Sequence, residues 1–258
     1  MADALMTEKT APSKGTRPEG ATSEADASRK VREMFTQIAP RYDLLNHLLS
    51  LQLDRVWRAR TARKLKPILC RTDAVVFDLC CGTGDLAFAL QKKGKARVIG
   101  ADFAHTMLVR ANAKSAADLG GAVPFLESDA LQLPFADESF DLVTAAFGFR
   151  NLANYEAGLR EMQRVLKPGG TIGILEFTEP PAGLFGDFYR WYFRSVLPKI
   201  GGAISGDAAA YKYLPNSVAR FFRPEELCEL MRGVGLQNVE AAVWTGGTVA
   251  LHTGEKGN

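Results

Sequence analysis

Cysteine and histidine are scarce, with four and three respectively among 258 residues. Cys70, Cys80, Cys81 and Cys228 form no CxxC pair and have no histidine pair nearby, so neither a disulfide scaffold nor a metal site is predicted. Adjacent Cys80 and Cys81 read instead as small hydrophobes of a reduced, cytoplasmic protein. A charge excess is missing as well. The 32 Lys and Arg against 29 Asp and Glu leave a net charge of +3, too even a balance for a polyanion-binding surface, so no nucleic-acid partner is predicted. Apolar residues come in short runs broken by Gly, Pro or charge, and none approaches the roughly 18 to 20 residues that a bilayer-spanning helix requires.

What is present is hydrophobic material, 47% of the chain, enough to build a core. Residues 1–30 are the exception, with Leu5 and two methionines as their only large apolar side chains, and they read as a disordered tail. Its five acidic residues argue against an organelle transit peptide. Residues 31–258 read as one domain. Short β-rich runs at Val75–Leu79, Ala96–Asp102, Val123–Glu127, Phe140–Ala145 and Thr171–Glu176 alternate with helical patterns at Asp85–Lys93, Thr106–Ser115 and Asn154–Leu166. The alternation predicts an α/β fold with a doubly wound, mostly parallel sheet. Residues 31–66 lie outside it as an N-terminal helical cap, and residues 180–214 as an aromatic helical insert. Both are predicted to cover the carboxyl ends of the strands, where such sheets bind ligands.

Asp78-Leu79-Cys80-Cys81-Gly82-Thr83-Gly84-Asp85 follows the first strand and opens a helix, with glycines that let backbone approach a ligand. Gly82, Gly84 and Ala87 with Asp102 at the end of the next strand also fit a dinucleotide fingerprint. Asp78 tilts the choice. A carboxylate there opposes a pyrophosphate but suits the ammonium of a methionine moiety, while Asp102 suits a ribose diol, and S-adenosyl-L-methionine carries both without a phosphate.

These motifs resemble class I S-adenosylmethionine-dependent methyltransferases of Rossmann-like fold. In that superfamily an acid after the third strand often meets the adenine amino group, which makes Asp129 and the Ala130 backbone the adenine contacts. Tyr42-Asp43-Leu44-Leu45-Asn46-His47-Leu48-Leu49-Ser50 with Trp57, Phe147-Gly148-Phe149-Arg150-Asn151-Leu152, and Arg164–Gly170 continuing to Glu176-Phe177-Thr178 resemble three signatures of the quinone-biosynthesis C-methyltransferases. The likeness runs from Val31 to His252. Leu45, Asp54 and Thr178 depart from the usual methionine, histidine and serine, and Ala146 stands where some relatives carry a serine, leaving its backbone as a cofactor contact.

The resemblance implies methylation of a ring carbon of a polyprenylated quinol. The expected reaction is demethylmenaquinol to menaquinol, with the 2-methoxy-6-polyprenyl-1,4-benzoquinol step of ubiquinone synthesis as the alternative. Another lipid-like or small acceptor, or a non-catalytic scaffold role, are the competing readings. Cofactor contacts are expected at Asp78, Gly82, Thr83, Gly84, Asp102, Asp129, Ala130 and Ala146. Arg150, Tyr42 and Asn151 are the expected catalytic residues, Arg150 stabilising a developing phenolate. A buried ion pair is the competing role for Arg150, and helix packing is favoured for His47. In the insert, Phe185, Phe188, Tyr189, Tyr192 and Val196 share one helical face, with Arg190 and Arg194 on another. That pattern predicts a prenyl-tail site and peripheral contact with an anionic membrane surface, or a packed cap helix. The basic run from Arg55 to Lys66 reads as a solvated helix face. A homo-oligomer is left open.

Overall fold

The computed structural model describes residues 15–196 and 208–257, except for the side chains of Leu45, Leu48, Leu49, Leu119, Arg194 and residues 208–212. Strands β1 (Val75–Leu79), β2 (Arg97–Asp102), β3 (Phe125–Glu127), β4 (Phe140–Ala146), β5 (Leu166–Phe177), β6 (Leu236–Trp244) and β7 (Val249–Lys256) form one sheet in the order β3-β2-β1-β4-β5-β7-β6. The first five are parallel, and β7 runs antiparallel to both β5 and β6. The chain winds outward in both directions from the β1–β4 pair, which makes the carboxyl ends of these strands the switch point where a crevice opens.

β1 is buried on both faces, with Val76, Phe77 and Leu79 enclosed, as a central parallel strand must be. Helices α5 (Asp85–Gln91) and α6 (His105–Leu119) flank it on one side. On the other, α7 (Tyr155–Val165) and α10 (Pro224–Gly233) pack into the core built around Phe77, Phe140, Phe149 and Leu159.

Two expectations are corrected here. Residues 15–30, expected as part of the tail, pack onto the fold. Thr16 N–H donates to Leu152 C=O at 2.7 Å, and α1 starts at Glu24 on a Ser23 cap that accepts from Asp26 N–H. Ala27 and Val31 are buried, so small residues suffice to seat a helix whose composition looks disordered; residues 1–14 lie outside the described residues. The second correction concerns the start of the fifth strand, expected at Thr171: Pro168–Gly170 already lie within it. α7 stops at Val165, Leu166 already pairs with Phe140, and the register shifts before Leu142, with Gly169 at φ 71° inside the strand.

The cap comprises α1 (Glu24–Ile38), α2 (Tyr42–Leu49), α3 (Leu53–Lys64) and α4 (Lys66–Leu69). In the insert, α8 (Leu184–Trp191) passes into a π-helical turn, Tyr192–Val196, and α9 (Ala208–Arg220) follows. Tyr189, Tyr192 and Phe193, at i, i+3 and i+4, face inward against Met34 and Ile38, while Phe188 stays 61% exposed. No helix among the described residues is long and apolar enough to cross a membrane.

Candidate active site

The turn after β1 is held by three left-handed residues, Cys80, Gly82 and Gly84. At Gly84 a Cβ would lie 2.8 Å from the Phe125 ring, so only glycine fits there. At Gly82 the nearest atom to such a Cβ is Tyr42 Cε1 at 3.7 Å, so its role is the left-handed backbone and an open approach. Gly82 N–H donates to Asp102 Oδ2 and Ala104 N–H to Asp102 Oδ1, each at 2.9 Å. Asp102 is thereby fixed at the end of β2. Burial pushes its carboxyl above the ordinary value although these backbone bonds oppose the shift.

Above this turn lies a cavity of about 650 Å³, counting its open mouth, lined by Gly82, Asp102, Asp129, Ala130, Gly148 and Asn151 among others. Asp129 also closes an Asx turn by accepting from Leu131 N–H at 2.9 Å. Ser28 lines the same cavity, so a residue expected in the tail belongs to the site.

Four expected cofactor residues do not line this cavity. Asp78 sits below the turn, 1% exposed; its Oδ1 accepts from Thr144 Oγ1 at 2.7 Å while its Oδ2 is buried without a hydrogen-bond partner. Burial pushes its carboxyl up to about 7. Gly84 caps α5 behind the turn. Thr83 is buried, its hydroxyl donating to Asp43. Ala146 packs among core side chains beside Trp57 and Phe147. Burial and the neighbouring carboxylates push the Cys80 and Cys81 thiols well up, so both are inert, in line with their reading as small hydrophobes.

A second, larger cavity of about 1490 Å³, again counting its mouth, lies between the cap and the insert. Phe35, Tyr42 and Phe147 line both cavities and so form the junction between them. Its wall is mostly aromatic and aliphatic, with Trp57, Phe177, Tyr189, Tyr192 and Phe193 prominent. Leu51, Leu53, Phe185 and Phe188 line it and are also exposed, which places apolar side chains around its rim. Trp57 Nε1 donates to Thr245 Oγ1 at 2.8 Å, tying the cap to the β6–β7 turn.

Arg150 faces this second cavity and is 6% exposed. Its guanidinium meets Glu176 Oε2 at 3.0 Å, and its backbone N–H donates to Glu176 Oε1 at 3.0 Å. Burial opposes the Arg150 charge, but the fully buried Glu176 carboxylate outweighs it and holds the guanidinium pKa above its ordinary value. The competing role, a buried ion pair, is therefore present, yet Arg150 Nε remains buried without a hydrogen-bond partner. Glu176 is a site residue that sequence reasoning misses; its signal is an acid within the apolar run Ile172–Phe177. Tyr42 is half-buried in α2, bonded to Asn46, its phenol pushed up by burial. Asn151 Oδ1 accepts from Tyr213 Oη at 3.0 Å. Tyr42, Arg150 and Asn151 thus converge where the cavities meet. Arg190 is partly exposed and already partnered: it donates to Pro180 C=O at 2.9 Å and pairs with Asp187 at 2.6 Å, while the Arg194 side chain lies outside the described residues.

The model of the ubiE/COQ5 methyltransferase family matches residues 23–256. The chain belongs to this family. It is 47% identical over 232 residues to a demethylmenaquinone methyltransferase of Deinococcus radiodurans, covering 90% of this chain and 94% of that one. It is 50% identical over 224 residues to a protein of the same name from Thermus thermophilus, covering 86% and 100%. Among solved structures, a SAM-dependent methyltransferase from Thermotoga maritima superposes with a TM-score of 0.58 at 21% identity, covering 87% of this chain and 99% of that one. This likeness is one of fold, and it agrees with the Rossmann-like class I architecture expected for the ubiE/COQ5 family member.

Proposed function

We propose that this chain transfers a methyl group from S-adenosylmethionine to a ring carbon of a polyprenylated quinol, converting demethylmenaquinol to menaquinol. The observation that carries the reading is the junction of a polar cavity at the strand ends with a large aromatic cavity, at Tyr42 and Phe147. The residues present fit the cofactor. Asp78 keeps one buried oxygen unpaired, which an ammonium bound near the turn would relieve. Both Asp102 oxygens accept one backbone bond and retain a lone pair for a diol. Asp129 and Ala130 line the far end, where an adenine amino group would lie.

When bound, the cofactor supplies an electrophilic methyl group on a sulfonium, displaced in line. The protein's part is approach, dryness and charge. Arg150, already charged and buried, offers its unpaired Nε–H to the oxyanion that develops on the quinol. Tyr42 and Asn151 fix the ring against the junction, and the apolar wall of the second cavity takes the prenyl tail. Exposed Leu51, Phe185 and Phe188 at the rim suit peripheral contact with a membrane in which the substrate resides. Arg190 is neutralised by Asp187, so this contact is chiefly apolar.

The test is incubation with methyl-labelled S-adenosylmethionine and a reduced, short-tailed demethylmenaquinol. Label in a singly methylated quinol is expected. Cofactor binding without label in any quinol would overturn the acceptor assignment and leave the fold and family untouched.

A further inference from the structure

α2 and α3 are joined by a tight reversal in which Leu51 and Gln52 both adopt left-handed backbone, at φ 52° and 65°. Such conformations cost a non-glycine residue of order 1–3 kcal/mol each and persist where the surrounding structure demands them. Here the reversal brings together two side chains seven positions apart: His47 Nδ1 lies 2.8 Å from Asp54 Oδ2. Ser50 Oγ donates to the other oxygen, Asp54 Oδ1, at 2.7 Å.

The three residues stand at different depths. Ser50 and Asp54 line the second cavity, Asp54 with only 4% of its side chain exposed, whereas the His47 side chain is 27% exposed and is not part of the cavity wall. The cluster spans from the enclosed acceptor cavity to solvent. Asp85 also lies close to His47 and Asp54, but the Arg58 guanidinium contacts Asp54 and reaches Asp85 at 3.6 Å. A cation would meet that fixed positive charge, which argues against a metal site.

Resting on the quinol reading above, we propose that Ser50, Asp54 and His47 form the proton exit of the acceptor cavity. Methylation of a quinol ring must release one proton. The ring carbon forms its bond to the methyl group as the methyl–sulfur bond breaks, and the sulfur keeps that electron pair as a neutral thioether. The phenolic proton leaves as the oxyanion develops; the ring then recovers its aromaticity by losing the hydrogen from the methylated carbon as a second proton, one proton returns to the oxygen, and the neutral quinol re-forms with one proton released in all. In a cavity walled by aromatic side chains, whose mouth the prenyl tail would fill, that proton needs an acceptor connected to water. Asp54 Oδ1, together with Ser50 Oγ, meets the proton at the cavity wall; the imidazole bonded to Oδ2 takes it, and the exposed ring edge of His47 yields it to solvent.

Asp54 alone is a poor store. Burial raises its pKa, but the Ser50 bond and the Arg58 guanidinium oppose burial, and its carboxyl is held below the ordinary value. It therefore passes the proton on, and the basic group of the relay is the imidazole. The charged and titratable groups around His47 are Asp54 and Arg58 from α3, Asp85 from α5 with Lys114 of α6 bonded to it, and Asp43 and Tyr42 from α2 itself.

The test uses the full chain with S-adenosylmethionine and a short-tailed demethylmenaquinol. His47→Ala is expected to lower kcat by about 10² or more, with the affinity for S-adenosylhomocysteine and the Tm little changed. Added imidazole should restore turnover, because the half-exposed site is open to it, and the acidic limb of the pH–rate profile should follow the imidazole that is added. As a readout apart from turnover, the labelled His47 ring resonances should move when the quinol joins the S-adenosylhomocysteine complex, and should not move in Asp54→Asn. Unchanged kcat in His47→Ala, or a loss that neither imidazole rescues nor the pH profile reflects, would overturn the relay. Wild-type protein that methylates no quinol would instead overturn the functional reading on which the relay rests.

Discussion

Thr83 Oγ1 donates to Asp43 Oδ1 at 2.5 Å, fastening the turn after β1 to the second helix of the cap. Lys114 completes the junction, reaching Asp43 Oδ2 and Thr83 Oγ1 at 3.2 Å each and Asp85 Oδ1 at 2.5 Å. The strand-end turn and the roof over it are therefore one polar unit, only partly open to solvent. Charge-assisted bonds of this kind contribute about 1.5–3 kcal/mol each. Asp43→Ala is expected to weaken S-adenosylhomocysteine binding about tenfold by loosening the turn, roughly 1.4 kcal/mol. Thr83→Val should do much the same, and the double variant should lose little more, since both break the Thr83–Asp43 bond and each weakens the hold on Lys114. Calorimetry on the three variants checks this; additive losses would mean that the two residues act separately.

Cofactor binding should depend on pH through Asp78. Its carboxyl, pushed up to about 7 by burial, carries a proton below that pH in the free protein. Pairing with an ammonium requires the ionised form, so the proton must leave on binding. Affinity for S-adenosylmethionine is therefore expected to rise as pH increases toward 7, by up to about tenfold per unit, and then to level off. The same raised value means that the native state holds a proton that the unfolded chain has lost between about 4 and 7. Free protein should accordingly lose stability as pH rises through that window, and the cofactor should restore it. Asp78→Asn should flatten both dependences. Titration calorimetry in two buffers of different ionisation enthalpy measures the proton directly.

The parts of the site that were legible in the sequence are those written in one contiguous stretch. Asp78 to Asp85 announce themselves because an apolar strand, two glycines and a helix start occur within a few residues, and Asp102 ends the next strand. What remained hidden depends on partners far apart in the chain. Glu176 meets Arg150 across 26 positions, joining β5 to the turn after β4, and no local pattern announces the pair. The first part of α1, Glu24–Lys30, looks like tail because the apolar side chain it buries is only Ala27, too small to register against its charged residues; packing of the helix against α6 supplies what composition lacks. The insert's periodicity is visible, but periodicity alone does not tell that Tyr189, Tyr192 and Phe193 are packed while Phe185 and Phe188 stay exposed at the cavity rim.

The Arg150–Glu176 pair sets opposite demands on stability and turnover. Removing one partner leaves the other charge buried, at a cost of about 3–5 kcal/mol. Arg150→Gln and Glu176→Gln should each lower Tm strongly, whereas the double variant, with no buried charge left, should recover most of that loss. Turnover should not recover with it. The double variant still lacks the guanidinium that stabilises the quinol oxyanion, so kcat measured well below Tm should stay lower by about 10² or more. Recovery of both quantities together would reduce Arg150 to a structural role.

The rim of the second cavity separates tail binding from packing. Phe185 and Phe188 are 50% and 61% exposed, so replacing both with serine removes little core and should shift Tm only slightly. If they guide a prenyl chain from a membrane into the cavity, kcat/KM should fall for a long-tailed quinol far more than for a short-tailed one, because each buried methylene contributes about 0.8 kcal/mol. Co-sedimentation with lipid vesicles should weaken in parallel and should persist at high salt, since the contact is apolar and Arg190 is engaged with Pro180 and Asp187. Tyr192→Ser provides the contrast. Tyr192 lies within the packed group around Phe193, so this variant should lose Tm and turn over both quinols less well. A double serine variant that discriminates no tail length and keeps its vesicle binding would place the route of the lipid elsewhere, while the cofactor cavity and the methyl-transfer reading would stand.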